Sequence, residues 1–85
     1  MNEPRKPEIE YPAEWGYRVI GKEEAVLRAI VHSLVGDRVY ELETSNQSAT
    51  GKYVSIRLTL TVNSEEDRVG LFESLKSQPE VIMVL

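Results

Sequence analysis

Residues 50–62, TGKYVSIRLTLTV, alternate strictly: Val54, Ile56, Leu58, Leu60 and Val62 take one side, Tyr53, Ser55, Arg57, Thr59 and Thr61 the other. A period of two over that length predicts a half-buried strand. Residues 15–21, WGYRVIG, repeat the pattern, with Trp15, Tyr17 and Val19 inward and Gly16, Arg18 and Ile20 outward. Residues 22–35 switch to helical spacing, since Leu27, Ile30, Val31 and Leu34 follow the i, i+3, i+4, i+7 rule. Glu23 and Glu24 suit the positive end of that helix, Glu24 can pair with Arg28, and Gly36 is a natural stop. Residues 39–45 read as a strand with Tyr40 and Leu42 inward and Glu41 and Glu43 outward. A polar loop over 46–51 follows. Ser64 then caps a second helix, with Asp67 in the capping-box position and Glu65 and Glu66 in the first turn. Val69, Leu71, Phe72 and Leu75 form its apolar side, and Pro79 ends it. Arg68 points between Phe72 and Leu75, so either its stem snorkels past the core edge or the helix is rotated. Residues 81–85 close the chain as a fourth strand.

The order βαββαβ with right-handed crossovers gives a four-stranded antiparallel sheet, spatial order 4-1-3-2, with both helices on one face. This α+β arrangement is the ferredoxin-like sandwich. It accounts for the alternation: Ile56 and its neighbours meet helices, while Tyr53 and its neighbours lie on the open face.

Composition narrows the picture further. With 85 residues the chain supports one domain and one core, so covering extra surface by forming a homodimer would help its stability. Pro4, Pro7 and Pro12 stand among charged residues in the first twelve positions, which predicts a disordered tail over 1–12 and a single domain over 13–85. Cysteine is absent, which removes disulfides, thiol catalysis and cysteine metal sites. The net charge of −4 argues against a nucleic-acid or anionic-membrane partner. No apolar stretch is long enough to span a bilayer, and the start of the chain lacks the apolar core of a signal peptide. The expected compartment is the cytoplasm.

The candidate chemistry is thin. His32 is the only histidine and sits opposite Leu27 and Leu34, where a solvated surface role is expected. Glu23 with Glu24, and Glu65 with Glu66, are helix-dipole partners in first turns. Gly21 and Lys22 open the first helix, where backbone N–H groups could hold an anion, and this loop is the candidate small-ligand site. Acylphosphatases use the same loop but end it with an arginine, whereas here it reads GKEEAV. RNA-recognition domains share the topology and stack bases on aromatics of the exposed central strands. Only Tyr53 stands at such a position, so RNA binding ranks low. What remains is the open sheet face, where Arg18, Tyr53, Ser55 and Arg57 form the candidate protein-interaction surface.

Three stretches together resemble the YbeD-like family of small bacterial proteins. YPAEWGYRVIG resembles the family's opening pattern, GKYVS its Gly-x-Tyr-x-Ser start of the third strand, and VIMVL its Met-Val-Leu C-terminus. The resemblance implies a ferredoxin-like fold similar to the ACT regulatory domain, with no catalytic residues, substrate or cofactor to carry over. ACT-like domains sense small metabolites at dimer interfaces or regulate partner proteins. In this chain the corresponding loop is GKEE and lacks their proline. The resulting expectation is a non-enzymatic ACT-like regulatory or protein-interaction domain without cofactor or metal. The alternative is a small-metabolite sensor at Gly21.

Overall fold

A computed structural model describes residues 9–47 and 52–85. Six elements follow one another: β1 (Ala13–Gly21), α1 (Glu24–Val35), β2 (Tyr40–Gln47), β3 (Val54–Val62), α2 (Glu65–Lys76) and β4 (Val81–Val84). The strands form one sheet in the order β2-β3-β1-β4, every neighbouring pair antiparallel. That is the expected 4-1-3-2 order, a ferredoxin-like βαββαβ fold.

The inward positions of the two central strands build the core. Tyr17 and Val19 from β1 and Val54, Ile56, Leu58, Leu60 and Val62 from β3 are buried against Leu27, Val31 and Val35 of α1 and Leu71 and Leu75 of α2. Ile30, Leu34 and Phe72 flank this cluster half-buried. The register sets Tyr17 opposite Leu58 and Val19 opposite Ile56, so large apolar pairs face the helices together.

Element ends differ from the periodicity in instructive ways. β1 starts at Ala13, two residues before Trp15, because β3 is long enough to pair with it down to Val62. α1 starts at Glu24, since Gly21 is still held in the sheet opposite Val54 and Val81. β2 extends to Gln47, taking two residues from the expected loop through a register shift between Thr44 and Asn46. The rest of that loop, 48–51, lies outside the described residues. Val39 is 91% exposed and stands before β2. In the span expected as a tail, Tyr11 packs against the core, so the docked chain begins at least there; residues 1–8 lie outside the described residues.

Both helix ends use the residues the sequence offered, with one change. Ser64 Oγ accepts from the Asp67 N–H at 3.0 Å, as a cap does. The Asp67 carboxylate turns to the N–H of Asn63 at 2.9 Å and to the Arg38 guanidinium at 2.8 and 3.0 Å. Arg38 also donates to the Thr61 carbonyl at 2.6 Å, so one arginine ties the turn before β2 to the turn before α2. Gly36 stops α1 with φ of 69°, a left-handed backbone open to glycine at no steric cost. Among the described residues no helix is long and apolar enough to cross a membrane.

Candidate functional site

The register puts the outward positions of three strands into rows across the open face. Arg57 of β3 lies directly between Glu43 of β2 and Arg18 of β1. Beside that row, Thr59 stands between Glu41 and Gly16, and on the other side Ser55 faces Ile20, which in turn faces Met83 of β4. Like charges directly opposite each other on a sheet are destabilising. Nonetheless Arg18 and Arg57 are exposed register partners, and neither has a carboxylate within ion-pair distance among the described residues. The Arg57 side chain lies across Gly16, with Nε 3.6 Å from where a Cβ would sit.

Four residues were expected to form this surface, and the structure separates them. Arg18 and Arg57 are brought together. Tyr53 lies one residue before β3, outside the strand, and is 42% exposed. Ser55 sits on β3, and its hydroxyl is covered and finds no hydrogen-bond partner among the described residues. The Ser55 residue itself is partly exposed, at the end of the β2–β3 ladder. The aromatics Trp15, Tyr17 and Tyr40 pack against the core on the other side of the sheet.

The candidate ligand loop has a steric explanation. A Cβ on Gly21 would come within 2.7 Å of a Leu27 methyl and 2.8 Å of the Glu80 carbonyl. Glycine is therefore required for the close passage of β1 under α1 and the turn before β4. Lys22, next in the chain, is exposed beside an open cleft of about 400 Å³ bordered by Val26, Pro79 and Ile82, with Glu23 and Glu80 contributing carboxylates.

Other chemistry-bearing groups have structural partners. Glu24 accepts from Arg28 at 2.8 Å and from the Thr44 hydroxyl at 2.7 Å, linking α1 to β2. The Thr44 hydroxyl, then the Arg28 guanidinium, hold the Glu24 carboxyl below the usual carboxylate range. Arg38, and second the Asn63 N–H, do the same for Asp67. His32 Nδ1 lies 3.0 Å from the Tyr40 hydroxyl, a surface link between α1 and β2. Among the described residues no group of three or more His, Asp or Glu could hold a metal ion.

Arg68 resolves as the snorkelling side chain. Its guanidinium stacks 4.8 Å over the Trp15 ring while Nε–H donates to the Tyr11 hydroxyl at 3.1 Å. Its carbonyl accepts from the Tyr17 hydroxyl at 2.7 Å, and burial pushes the Tyr17 phenol up from its ordinary value. No spacing rule announces this cluster, since it joins residues 51 and 57 positions apart.

Sequence and structure comparisons agree on the kinship. Residues 6–85 match the family described as "Protein of unknown function (DUF493)". An uncharacterized protein of Campylobacter jejuni is 35% identical over 93% of this chain and 91% of its own length. A UPF0250 protein of Hahella chejuensis is 34% identical, covering 93% and 91%. Among solved structures, a Helicobacter pylori protein determined in solution aligns at a TM-score of 0.82 and 28% identity, covering 100% of this chain and 97% of that one. The ACT domain from the GTP pyrophosphokinase of Chlorobium tepidum aligns at 0.60 with 15% identity, covering 85% and 94%, a likeness of fold alone. The chain belongs to the DUF493 family, the small bacterial YbeD-like proteins that its three motifs resemble, and carries their ACT-like fold.

Proposed function

We propose that the chain is a non-enzymatic regulatory or protein-interaction domain of the bacterial cytoplasm, engaging a protein partner through the open sheet face. One observation carries this reading: Arg18 and Arg57 stand side by side without a neutralising carboxylate among the described residues. A cross-strand arrangement that costs stability and serves no core contact fits a surface whose neutraliser is supplied from outside. Arginine is also among the usual anchors of such surfaces. The non-enzymatic part is supported by the occupation of Glu24, Asp67 and His32 in links between elements. That Trp15, Tyr17 and Tyr40 turn to the core rather than to this face supports a protein over a nucleic acid.

The test is capture of partners from bacterial lysate by the immobilised protein. Tyr53→Ala with Arg57→Ala is expected to weaken capture while stability stays within about 1 kcal/mol of the parent. Equal capture by the double variant would move the site off this face, and a collapse of stability would show the face covered in a homodimer.

A second reading, a small-metabolite sensor after β1, has the cleft beside Lys22 in its favour. A melting-temperature rise with a metabolite panel, lost in Lys22→Ala and kept in Arg57→Ala, would place a ligand there.

A further inference from the structure

β4 covers only part of the strand beside it. It meets β1 at Val19, Ile20 and Gly21, and Leu85 exchanges both backbone hydrogen bonds with Arg18, at 3.0 and 2.9 Å. β1, however, begins at Ala13. Residues 13–17 therefore have β3 on one side and no strand of the described chain on the other. In an antiparallel ladder, successive residues turn their N–H and C=O groups to alternate sides. Arg18 turns both groups toward β4, so Gly16 and Glu14, two and four residues earlier, turn theirs toward the vacant edge.

An edge with unmet backbone groups is a template for another strand. The sheet's other edge is blunted. β2 carries exposed Glu41 and Glu43 along its length and a register shift after Thr44. The vacant stretch of β1 has Gly16 at its centre, with no side chain to obstruct approach.

Both walls of the vacancy are shaped. On the helix side Trp15, Phe72 and the half-exposed Val69, with Arg68 over the Trp15 ring, border a mainly apolar trough of about 380 Å³. On the open side Arg18 and Arg57 border a hollow of about 190 Å³, with Arg57 draped over Gly16. A strand sends alternate side chains to opposite faces, so a strand laid here would meet the trough and the arginines in alternation.

We propose that this notch takes an extended segment of a partner protein, about five residues long, added antiparallel to β1 in line with β4. The residues facing Tyr17 and Trp15 are apolar and enter the trough. The residue facing Gly16 is acidic and neutralises Arg18 and Arg57. This deepens the reading above, on which it rests, by naming the edge used and the chemistry of the segment.

The test uses two blocked pentapeptides, Val-Glu-Val-Thr-Val and Val-Lys-Val-Thr-Val, titrated into the full chain. Readouts are emission of the single tryptophan, Trp15, and exchange of the Gly16 and Glu14 amides by nuclear magnetic resonance. The glutamate peptide is expected to slow exchange at both amides, shift Trp15 emission, and bind about tenfold tighter than the lysine peptide. Arg18→Glu with Arg57→Glu is expected to reverse that preference. Gly16→Pro removes only the N–H that faces the vacancy and is expected to abolish binding. Should that variant unfold, the charge reversal still decides.

Unaltered Gly16 and Glu14 amides, or an unchanged preference in the charge-reversed protein, would overturn the proposal. So would protection of those amides that rises with protein concentration alone, which would seat a second copy in the notch. If the amides stay silent while Arg57→Ala still loses partner capture, the notch is wrong and the open-face reading stands. If capture ignores Arg18, Tyr53 and Arg57, that reading falls as well.

Discussion

On the helix side of the sheet, Val19, Ile56, Leu58 and Val62 are fully buried, each opposite another apolar residue or beneath a helix. On the open side, Arg18 of β1 stands opposite Arg57 of β3, the Ser55 hydroxyl is covered without a partner among the described residues, and Met83 and Leu85 at the β4 edge are about half or more exposed. Both faces share one backbone and one register, so the contrast lies in the side chains. The covered face satisfies every local preference of a strand. The open face breaks several, and such violations gather where a protein has a use for them.

The contrast predicts unequal responses to substitution, and the largest belongs to the covered face. Ile56→Asp places an unpaired carboxylate among Val19, Leu27 and their neighbours. A loss of about 4 kcal/mol or more is expected, seen as an unfolded protein in urea titration. Gly21→Ala tests whether that glycine serves packing. Its Cβ meets the Glu80 carbonyl, which is backbone and yields little, so a loss of about 1–3 kcal/mol is expected. A neutral result would return Gly21 to the ligand-loop reading.

A smaller effect is expected at the Arg38–Asp67 link, and it depends on pH. Asp67 is held below the usual range by Arg38, so its folded value lies beneath its unfolded one. Its stabilising contribution is then complete above the ordinary aspartate value of about 3.9 and is lost as pH falls through the lowered one. Asp67→Asn should therefore be less stable than the parent at pH 7, with the gap closing as pH drops toward about 2. A gap independent of pH would deny the ion pair its role. The smallest effect belongs to the open face. Arg18→Gln relieves the like-charge neighbour and should leave stability within about 0.5 kcal/mol, on the favourable side. A clear loss would mean that Arg18 supports the fold.

How far the sequence could be read follows the same division. The strand order, both helices, the Ser64 cap and the Glu24–Arg28 pair were legible because each rests on periodicity or on neighbours in the chain. Strand ends were misplaced where pairing set them: Asn46 and Gln47 belong to β2 only because β3 has residues to receive them. Of the open-face candidates, alternation put Arg18 and Arg57 outward, where the register pairs them. Alternation alone could not tell that the Ser55 hydroxyl is covered or that Tyr53 falls short of the strand. Arg38, far from Asp67 in sequence, and the Tyr11–Arg68–Trp15 cluster were invisible because nothing local marks such meetings. The vacancy beside β1 required the lengths of two strands to be compared, a fact about registers that no single stretch contains.

The strand order has a consequence for how the chain is partitioned. Cutting between residues 47 and 52 would yield one piece carrying β1, α1 and β2 and another carrying β3, α2 and β4. In the sheet β3 lies between β2 and β1, and β1 lies between β3 and β4. Neither piece owns a pair of adjacent strands, so neither can form a single ladder by itself. The halves are interleaved like the fingers of two hands. Each fragment should be unstructured alone and should regain structure only when mixed with the other.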